Sequence, residues 1–155
     1  MNEIRDRLIE AAVNLGESLG LNRTVCQIYA FLYLSDQPLS PTEIGKTLGM
    51  SKGNVSINLR ILEQWNAVRK VWKKGYTRPL YVANEDIEEI VMSKLKSGLE
   101  KRLNYVKPLM NEIKKSRAGF VEKKFFDEKL EKIEKLISKI EFLLNNIETV
   151  KLLTK

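Results

Sequence analysis

The segment 39–65 constrains the fold more than any other part of this sequence. Ser-Pro-Thr-Glu at 40–43 is a capping box with proline at the first helical position, which predicts that a helix begins there. Gly49 is a natural left-handed stop for that helix, and Ser51 then caps a second helix that runs to about residue 65. Two short helices joined by a glycine-containing turn form a helix-turn-helix.

The second of these helices has one apolar face and one outward polar face. A projection of about 100° per residue puts Val55, Leu59 and Leu62 on the core side, with Asn58 near them as a structural residue. The outward face offers amide, hydroxyl and cationic groups, a glycine that permits close approach and one apolar side chain, which suits the DNA major groove. An ordinary solvated helix face is the alternative. The candidate recognition residues are Ser51, Lys52, Gly53, Asn54, Ser56, Ile57 and Arg60.

Residues 68–82 predict a small β-hairpin. Two short runs rich in β-branched and aromatic residues flank Gly75, and Pro79 restricts the second run to an edge strand. A basic hairpin directly after a helix-turn-helix is the wing of a winged helix, and its tip can lie along phosphates and reach the minor groove. A solvated loop is the alternative. The candidate wing contacts are Lys73, Lys74, Tyr76 and Arg78.

The charge distribution points to an anionic partner. The 155 residues carry a net charge of +7, and residues 36–83 hold eight basic against three acidic side chains. The sequence has no histidine and a single cysteine, which removes the commonest general base and the commonest metal ligands. We therefore expect no enzymatic activity, no metal site and no cofactor.

The terminal regions predict long helices that need a partner. An N-terminal apolar stripe follows helical spacing through Ile4, Leu8, Ala11 or Ala12, Leu15 and Leu19. Near the other end a heptad stripe, the candidate dimerisation set, consists of Phe126, Leu130, Ile133, Ile137, Ile140, Leu144 and Ile147. A further row, Leu136, Leu143 and Val150, widens this stripe towards a face that contacts two helices at once. Another apolar stripe lies on the helix predicted at about 84–115, and its members are Val91, Leu95, Leu99, Leu103, Val106, Met110 and Ile113. One small domain cannot cover both this stripe and the heptad stripe, whereas a second copy of the chain can.

These patterns divide the chain into three regions. We expect an N-terminal helix that contributes to dimerisation at 1–21, a winged helix-turn-helix DNA-binding domain at 22–83 and a C-terminal helical dimerisation region at 84–155. The fold is then mainly α, with a small two-stranded wing. The longest apolar run, 28–34, is too short to cross a membrane, and the N-terminus has no secretory signal, so a cytoplasmic protein is expected.

The recognition helix and the wing also resemble a known family. Ser-Lys-Gly-Asn-Val-Ser-Ile-Asn-Leu-Arg at 51–60, followed by Val-Arg-Lys-Val-Trp-Lys-Lys-Gly at 68–75, resembles the GbsR-like branch of the MarR-type winged-helix transcriptional regulators. The resemblance is strongest over about residues 20–83. It implies a homodimeric DNA-binding regulator, dimerised through its terminal helices, with recognition positions at 51–60 and wing positions at 73–78.

The function expected from these residues is a homodimeric, sequence-specific repressor of transcription that binds a pseudo-palindromic double-stranded DNA operator. A winged-helix module for protein–protein interaction, without sequence-specific DNA binding, is the alternative. Whether a small-molecule effector binds stays open. Six aromatic residues would suit a cage for a cationic osmolyte and would equally suit the core: Tyr29, Tyr33, Tyr105, Phe120, Phe125 and Phe126.

Overall fold

The computed structural model describes residues 2–116 and 123–153, which form seven α-helices and one two-stranded sheet. In chain order these are α1 (Glu3–Ser18), α2 (Arg23–Tyr33), α3 (Pro41–Leu48), α4 (Lys52–Gln64), β1 (Val68–Val71), β2 (Leu80–Ala83), α5 (Ile87–Ser116), α6 (Lys123–Asn145) and α7 (Ile147–Leu153). The chain forms two compact units, of which the first ends at Val91 and the second begins at Met92. The mainly helical, winged helix-turn-helix architecture predicted from the sequence is confirmed.

The first unit is built around the two helices that precede the helix-turn-helix. Asn22 caps α2, because its side-chain oxygen accepts from the backbone N–H groups of Thr24 and Val25. Helix α1 packs on α2 through Ile9 and Val13, with Ala12 partly buried against the same core. Three large side chains of the predicted stripe, Ile4, Leu8 and Leu15, are solvent-exposed instead.

The helix-turn-helix has the boundaries that its capping residues predict. The backbone N–H of Ser40 donates to Glu43 Oε2 at 2.7 Å, and the N–H of Glu43 donates to Ser40 Oγ at 3.2 Å, which completes the capping box. Gly49 ends α3 in the left-handed conformation, at φ 68°. The turn passes close to α3 at Gly45, where an added Cβ would lie 2.9 Å from the carbonyl oxygen of Met50.

The two strands form an antiparallel hairpin against the helices. Val68 pairs with Ala83, and Val71 pairs with Leu80. The backbone of Leu39 adds a bridge to Tyr81, with nitrogen-to-oxygen distances of 3.0 and 2.8 Å, so the segment that leads into α3 continues the sheet at the other edge of β2. This bridge ties the base of the wing to the start of the helix-turn-helix.

The second unit is an antiparallel pair of long helices. Lys107 on α5 forms an ion pair with Glu141 on α6, and an apolar cluster includes Leu103, Leu144 and Ile147. The heptad pattern predicts one continuous helix, but the structure interrupts it at Asn146, whose side-chain amide donates to the carbonyl of Phe142. Over residues 2–116 and 123–153, no helix combines the length and the apolar character that a membrane crossing requires.

Candidate nucleic-acid interface

The exposed face of α4 is the face predicted from the sequence. Val55, Leu59 and Leu62 are buried as expected, and each of the seven candidate recognition residues is solvent-exposed. Ile57 is the least expected of these, because 60% of its surface is in contact with water although it lies at the middle of the helix. Ser51 has a structural task as well, since its Oγ accepts from the backbone N–H of Asn54 at 3.2 Å and so caps α4.

Asn58 is buried, as the sequence projection predicts for a structural residue. Its amide nitrogen lies 2.8 Å from both the carbonyl oxygen and the side-chain Oδ1 of Asn54. A buried amide is stable only where its hydrogens have acceptors, and Asn54 supplies both. The buried amide of Asn58 therefore holds the side chain of Asn54, one of the candidate recognition residues, in place.

The wing is a loop between the strands whose tip is a tight turn. The backbone N–H of Tyr76 donates to the carbonyl of Lys73 at 3.1 Å, and Gly75 takes a φ of 91°, as the third residue of a type II turn requires. Lys73 Nζ lies 6.0 Å from the centroid of the Tyr76 ring. All four candidate wing residues, Lys73, Lys74, Tyr76 and Arg78, are exposed.

The base of the wing also has polar contacts with α4. Lys70 Nζ on β1 lies 3.6 Å from Glu63 Oε1 on α4. Burial and the nearby Glu63 carboxylate raise the pKa of the Tyr81 hydroxyl, and the positive charges of Lys70 and Arg60 partly oppose that rise. The last turn of the recognition helix and the two strands therefore share one electrostatic environment.

A cleft of about 230 Å³ joins the wing to both helices of the helix-turn-helix. Its lining brings together two candidate recognition residues, Lys52 and Ser56, and two candidate wing residues, Tyr76 and Arg78. Ser40 and Thr42, at the start of α3, line the same cleft. Thr42 is not among the candidate contacts predicted from the sequence, although the capping box places it in the first turn of a helix, where free backbone N–H groups attract anions.

The candidate dimerisation set is divided by the structure. Leu130, Leu144 and Ile147 are buried, and Phe126, Ile137 and Ile140 are half-buried. Within this set Ile133 alone is exposed. Part of the stripe therefore packs inside one protomer, and its role in dimerisation stays a prediction. The additional row is exposed at all three of its positions, Leu136, Leu143 and Val150.

The six aromatic residues suggested for a ligand cage are distributed over both units of the chain. The rings of Tyr29 and Tyr33 lie 5.9 Å apart, and the hydroxyl of Tyr29 donates to the carbonyl of Asn84 at 2.7 Å. Tyr29 is thus a core residue of the first unit. Tyr105 and Phe125 are exposed in the second unit, Phe126 is half-buried there, and Phe120 lies outside the described residues.

The segment that matches a known family model contains the helix-turn-helix and the first strand. Residues 19–71, from the end of α1 through β1, match the model of the MarR family. Three proteins of Bacillus subtilis (strain 168) are similar. YvaV, a proposed HTH-type transcriptional regulator, is 21% identical over 140 residues, which cover 90% of this chain and 79% of YvaV. The HTH-type transcriptional repressor OpcR is 23% identical over 136 residues, which cover 87% of this chain and 74% of OpcR.

The third relative, the HTH-type transcriptional repressor GbsR, is 27% identical over 86 residues, which cover 56% of this chain and 47% of GbsR. The fold also has a solved counterpart, a crystal structure of a transcriptional regulator with a TM-score of 0.69 and 14% identity, in which 94% of each chain is covered. The matched segment and the relatives make this chain similar to HTH-type transcriptional regulators of the MarR family, and the solved counterpart shares its fold.

Proposed function

We propose that this protein is a homodimeric repressor of transcription that binds a pseudo-palindromic DNA operator through α4 and the wing. The single observation that carries this proposal is the outward face of α4. An exposed isoleucine at 57, flanked by the polar Asn54 and Ser56 and the cationic Arg60, lies on the same unit as an acid-free wing. Major-groove recognition uses this combination of apolar, amide and cationic side chains.

The chemistry of each exposed side chain indicates whether it would contact bases or the phosphate backbone. Asn54, Ser56 and Ile57 have short side chains in the middle of the exposed face, where base edges would lie, so we assign them to base recognition. Lys52 and Arg60 lie towards the two ends of α4 and suit guanine or phosphate. The wing residues supply positive charge along the backbone, which strengthens binding to every sequence alike.

The proposed homodimer rests on the apolar rows that each unit leaves in water. In the second unit Leu136 is 57% exposed and Leu143 is 68% exposed, seven residues apart on α6. In the first unit Ile4, Leu8 and Leu15 leave α1 with an uncovered apolar face. Rows of this kind on a regular helix favour association with a second copy of the chain. A two-fold dimer would present two recognition helices to successive major grooves, about 34–36 Å apart.

We also propose that the protein belongs to the GbsR-like branch of the family. The support is the sequence of the recognition helix and of the tryptophan-bearing strand, together with the similarity to GbsR itself. A sequence tree of winged-helix regulators that groups this chain outside that branch would contradict the assignment. Because the proposed ligand is chromosomal DNA, we place the protein in the cytoplasm. An effector ligand is not part of the proposal.

Selection from a randomised duplex library tests the proposed function. The wild-type protein should enrich a pseudo-palindromic site, and replacement of Asn54, Ser56 or Ile57 by Ala should relax the preference at individual base pairs. Each good base contact is worth about 1–3 kcal/mol of discrimination. Ser93→Ala is a matched control, since Ser93 is an exposed serine on α5 in the other unit. Unaltered preference in all three α4 variants would show that another surface recognises the DNA.

Binding without any sequence preference would support the alternative of a winged-helix interaction module. In that case the selected library would stay random, and the affinity for any duplex would fall steeply with salt because only phosphate contacts contribute. One selection experiment on the unmodified protein therefore distinguishes a sequence-specific repressor from a winged-helix interaction module.

A further inference from the structure

Trp72 is a large side chain that the assigned interface leaves unexplained. It lies one residue after β1 and directly before Lys73, and 69% of its surface is exposed. The other tryptophan, Trp65, is half-buried against the core of the first unit. An indole usually finds an apolar contact and an acceptor for its N–H, so an exposed one beside a binding surface suggests that a partner supplies both.

Trp72 is the first residue of the wing loop. It directly follows β1, two positions after Lys70 and one before the candidate wing contact Lys73. Lys70 forms an ion pair with Glu63 on α4, so the end of β1 from which this loop begins lies beside the recognition helix. Trp72 is therefore an exposed indole next to a lysine that the proposed function places against the DNA backbone.

Charge identifies the class of partner. Residues 68–83 contain five cationic side chains and no acid, so an anionic partner is favoured over an apolar or a basic one. The indole itself has an apolar ring face and a single N–H donor, and it has no charge. A deoxyribose-phosphate backbone offers the complement, an apolar sugar surface next to phosphate oxygens that accept hydrogen bonds.

We propose that Trp72 is a backbone contact to the operator DNA, with its ring packed on a deoxyribose and its Nε1–H donated to a phosphate oxygen. This inference rests on the proposed function and adds to it a contact that the basic residues cannot provide. Because the indole is neutral, the contact releases no counterion, so it strengthens binding equally at low and at high salt. Because it touches only sugar and phosphate, it is the same for every base sequence.

The experiment uses Trp72 as its own reporter. The chain has two tryptophans, so Trp65→Phe leaves Trp72 as the single emitter in the full-length protein. Saturation with duplex DNA should shift the emission of this variant and reduce quenching by acrylamide. Trp72→Ala in the wild-type background should weaken binding about tenfold for selected and random duplexes alike, the loss of one charge-assisted hydrogen bond and its apolar contact. Trp72→Phe, which keeps a ring but loses the donor, should give a smaller loss.

The slope of log K against log salt should be the same for Trp72→Ala as for the wild type. Replacement of Lys73 and Lys74 by Ala should instead reduce this slope. Unchanged emission and quenching at saturation, or unchanged affinity of Trp72→Ala, would overturn the assignment while DNA binding itself stands. An emission shift that depends on protein concentration without DNA would also overturn it, because a second copy of the chain would then be the partner. Failure of the unmodified protein to bind any duplex would instead remove the proposed function.

Discussion

The side-chain amide of Asn58 donates both of its hydrogens to Asn54, one to the backbone carbonyl and one to the side-chain Oδ1, each at 2.8 Å. The carbonyl can only accept, so it fixes the orientation of the Asn58 amide. The second hydrogen of that amide then fixes the Oδ1 of Asn54. Asn54 keeps one free lone pair on Oδ1 and both hydrogens on Nδ2, which are the groups that a bidentate contact with adenine uses.

Replacement of Asn58 should therefore change what Asn54 recognises. In Asn58→Ala the amide of Asn54 is free to rotate, so we expect the preference at one base pair to relax while the affinity for random duplexes is retained. Asn54→Ala should relax the same base pair, and the double variant should lose little more than either single one, because the two side chains act as a unit. Library selection on the three variants checks this. Additive losses would show that Asn58 supports only the fold.

Replacement of Gly53 should change the stability of the protein and its affinity for DNA in opposite directions. It is the second residue of α4, its φ is not positive, and an added Cβ would meet nothing within 4 Å. Gly53→Ala should raise the free energy of unfolding by at most about 0.5–1 kcal/mol, the cost of glycine relative to alanine in a helix interior, because Gly53 lies in the first turn. The same methyl group lies on the proposed groove-facing surface, so the affinity for the operator should fall. A denaturant melt and a binding isotherm on one preparation measure both effects, and unchanged affinity would argue against close approach of the DNA backbone here.

The two lysines of the wing tip should act through charge. Replacement of Lys73 and Lys74 by Ala should weaken binding to all sequences alike and reduce the slope of log K against log salt by about 1.8, at ~0.9 per phosphate contact. Lys123 and Lys124 form a matched control, because they are also adjacent and exposed and their replacement removes the same charge from the second unit. Binding isotherms at several salt concentrations give both slopes. Equal slopes for the wild type and the wing variant would show that the wing does not touch phosphates.

The helix-turn-helix could be predicted because its signals are local. The capping box, Gly49 and Ser51 act over three or four residues, and each appears in the structure with the predicted role. The outward face of α4 follows from the same helix geometry once its first residue is known. The bridge between Leu39 and Tyr81 had no such signal, because it joins backbone groups 42 positions apart in the sequence and depends on no particular side chain.

The terminal helices show where sequence patterns stop being sufficient. Two neighbouring rows of α6 are apolar, but Leu130 and Leu144 in one of them are buried while Leu136 and Leu143 in the other are exposed. Both rows satisfy the same spacing, so the choice depends on the packing of α5, a non-local property. The same ambiguity explains α1, where Ile9 and Val13 face the core and the predicted stripe through Leu8 does not.

The capping box predicts a pH dependence of stability. Hydrogen bonds from the backbone N–H and the hydroxyl of Ser40 lower the pKa of Glu43 in the folded state. A carboxyl whose folded pKa is depressed stabilises the fold above its unfolded pKa, and this contribution is lost as the pH falls through the folded pKa. Glu43→Gln keeps a capping side chain without a charge. At pH 7 the free energy of unfolding of the wild type should exceed that of Glu43→Gln by at most about 1 kcal/mol, because the carboxylate is exposed and screened.

The resulting difference between the two melting temperatures should shrink as the pH is lowered through the acidic range. The Ser40→Ala variant provides a second check, since it removes the hydroxyl that accepts from Glu43 N–H and should cost about 1 kcal/mol near neutral pH. Thermal melts of the three proteins between acidic and neutral pH measure the trend. A constant difference between the wild type and Glu43→Gln over this range would mean that the carboxylate contributes no charge-dependent stability.

The last prediction concerns assembly, on which the spacing of the recognition helices depends. Leu136 and Leu143 are exposed on α6, so Asp at both positions should leave the fold of the protomer intact and prevent dimerisation. Burial of each leucine in a dimer would contribute about 1.5–3 kcal/mol, and two charged replacements would remove both contributions. Sedimentation at micromolar concentration should show a dimer for the wild type and a monomer for the double variant. The monomer should bind random duplexes weakly and give no pseudo-palindromic footprint.

Leu144→Asp is the matched control, because Leu144 occupies the neighbouring row but is only 5% exposed. A carboxylate at that position would be buried among Leu103 and Ile147 without a partner, so this variant should lose helical content and not merely dissociate. Circular dichroism distinguishes the two results. If Leu136→Asp with Leu143→Asp still sediments as a dimer while its helices are intact, the second copy docks elsewhere, and the exposed face of α1 through Leu8 becomes the surface to test. A wild-type protein that sediments as a monomer at micromolar concentration would end the dimer proposal altogether.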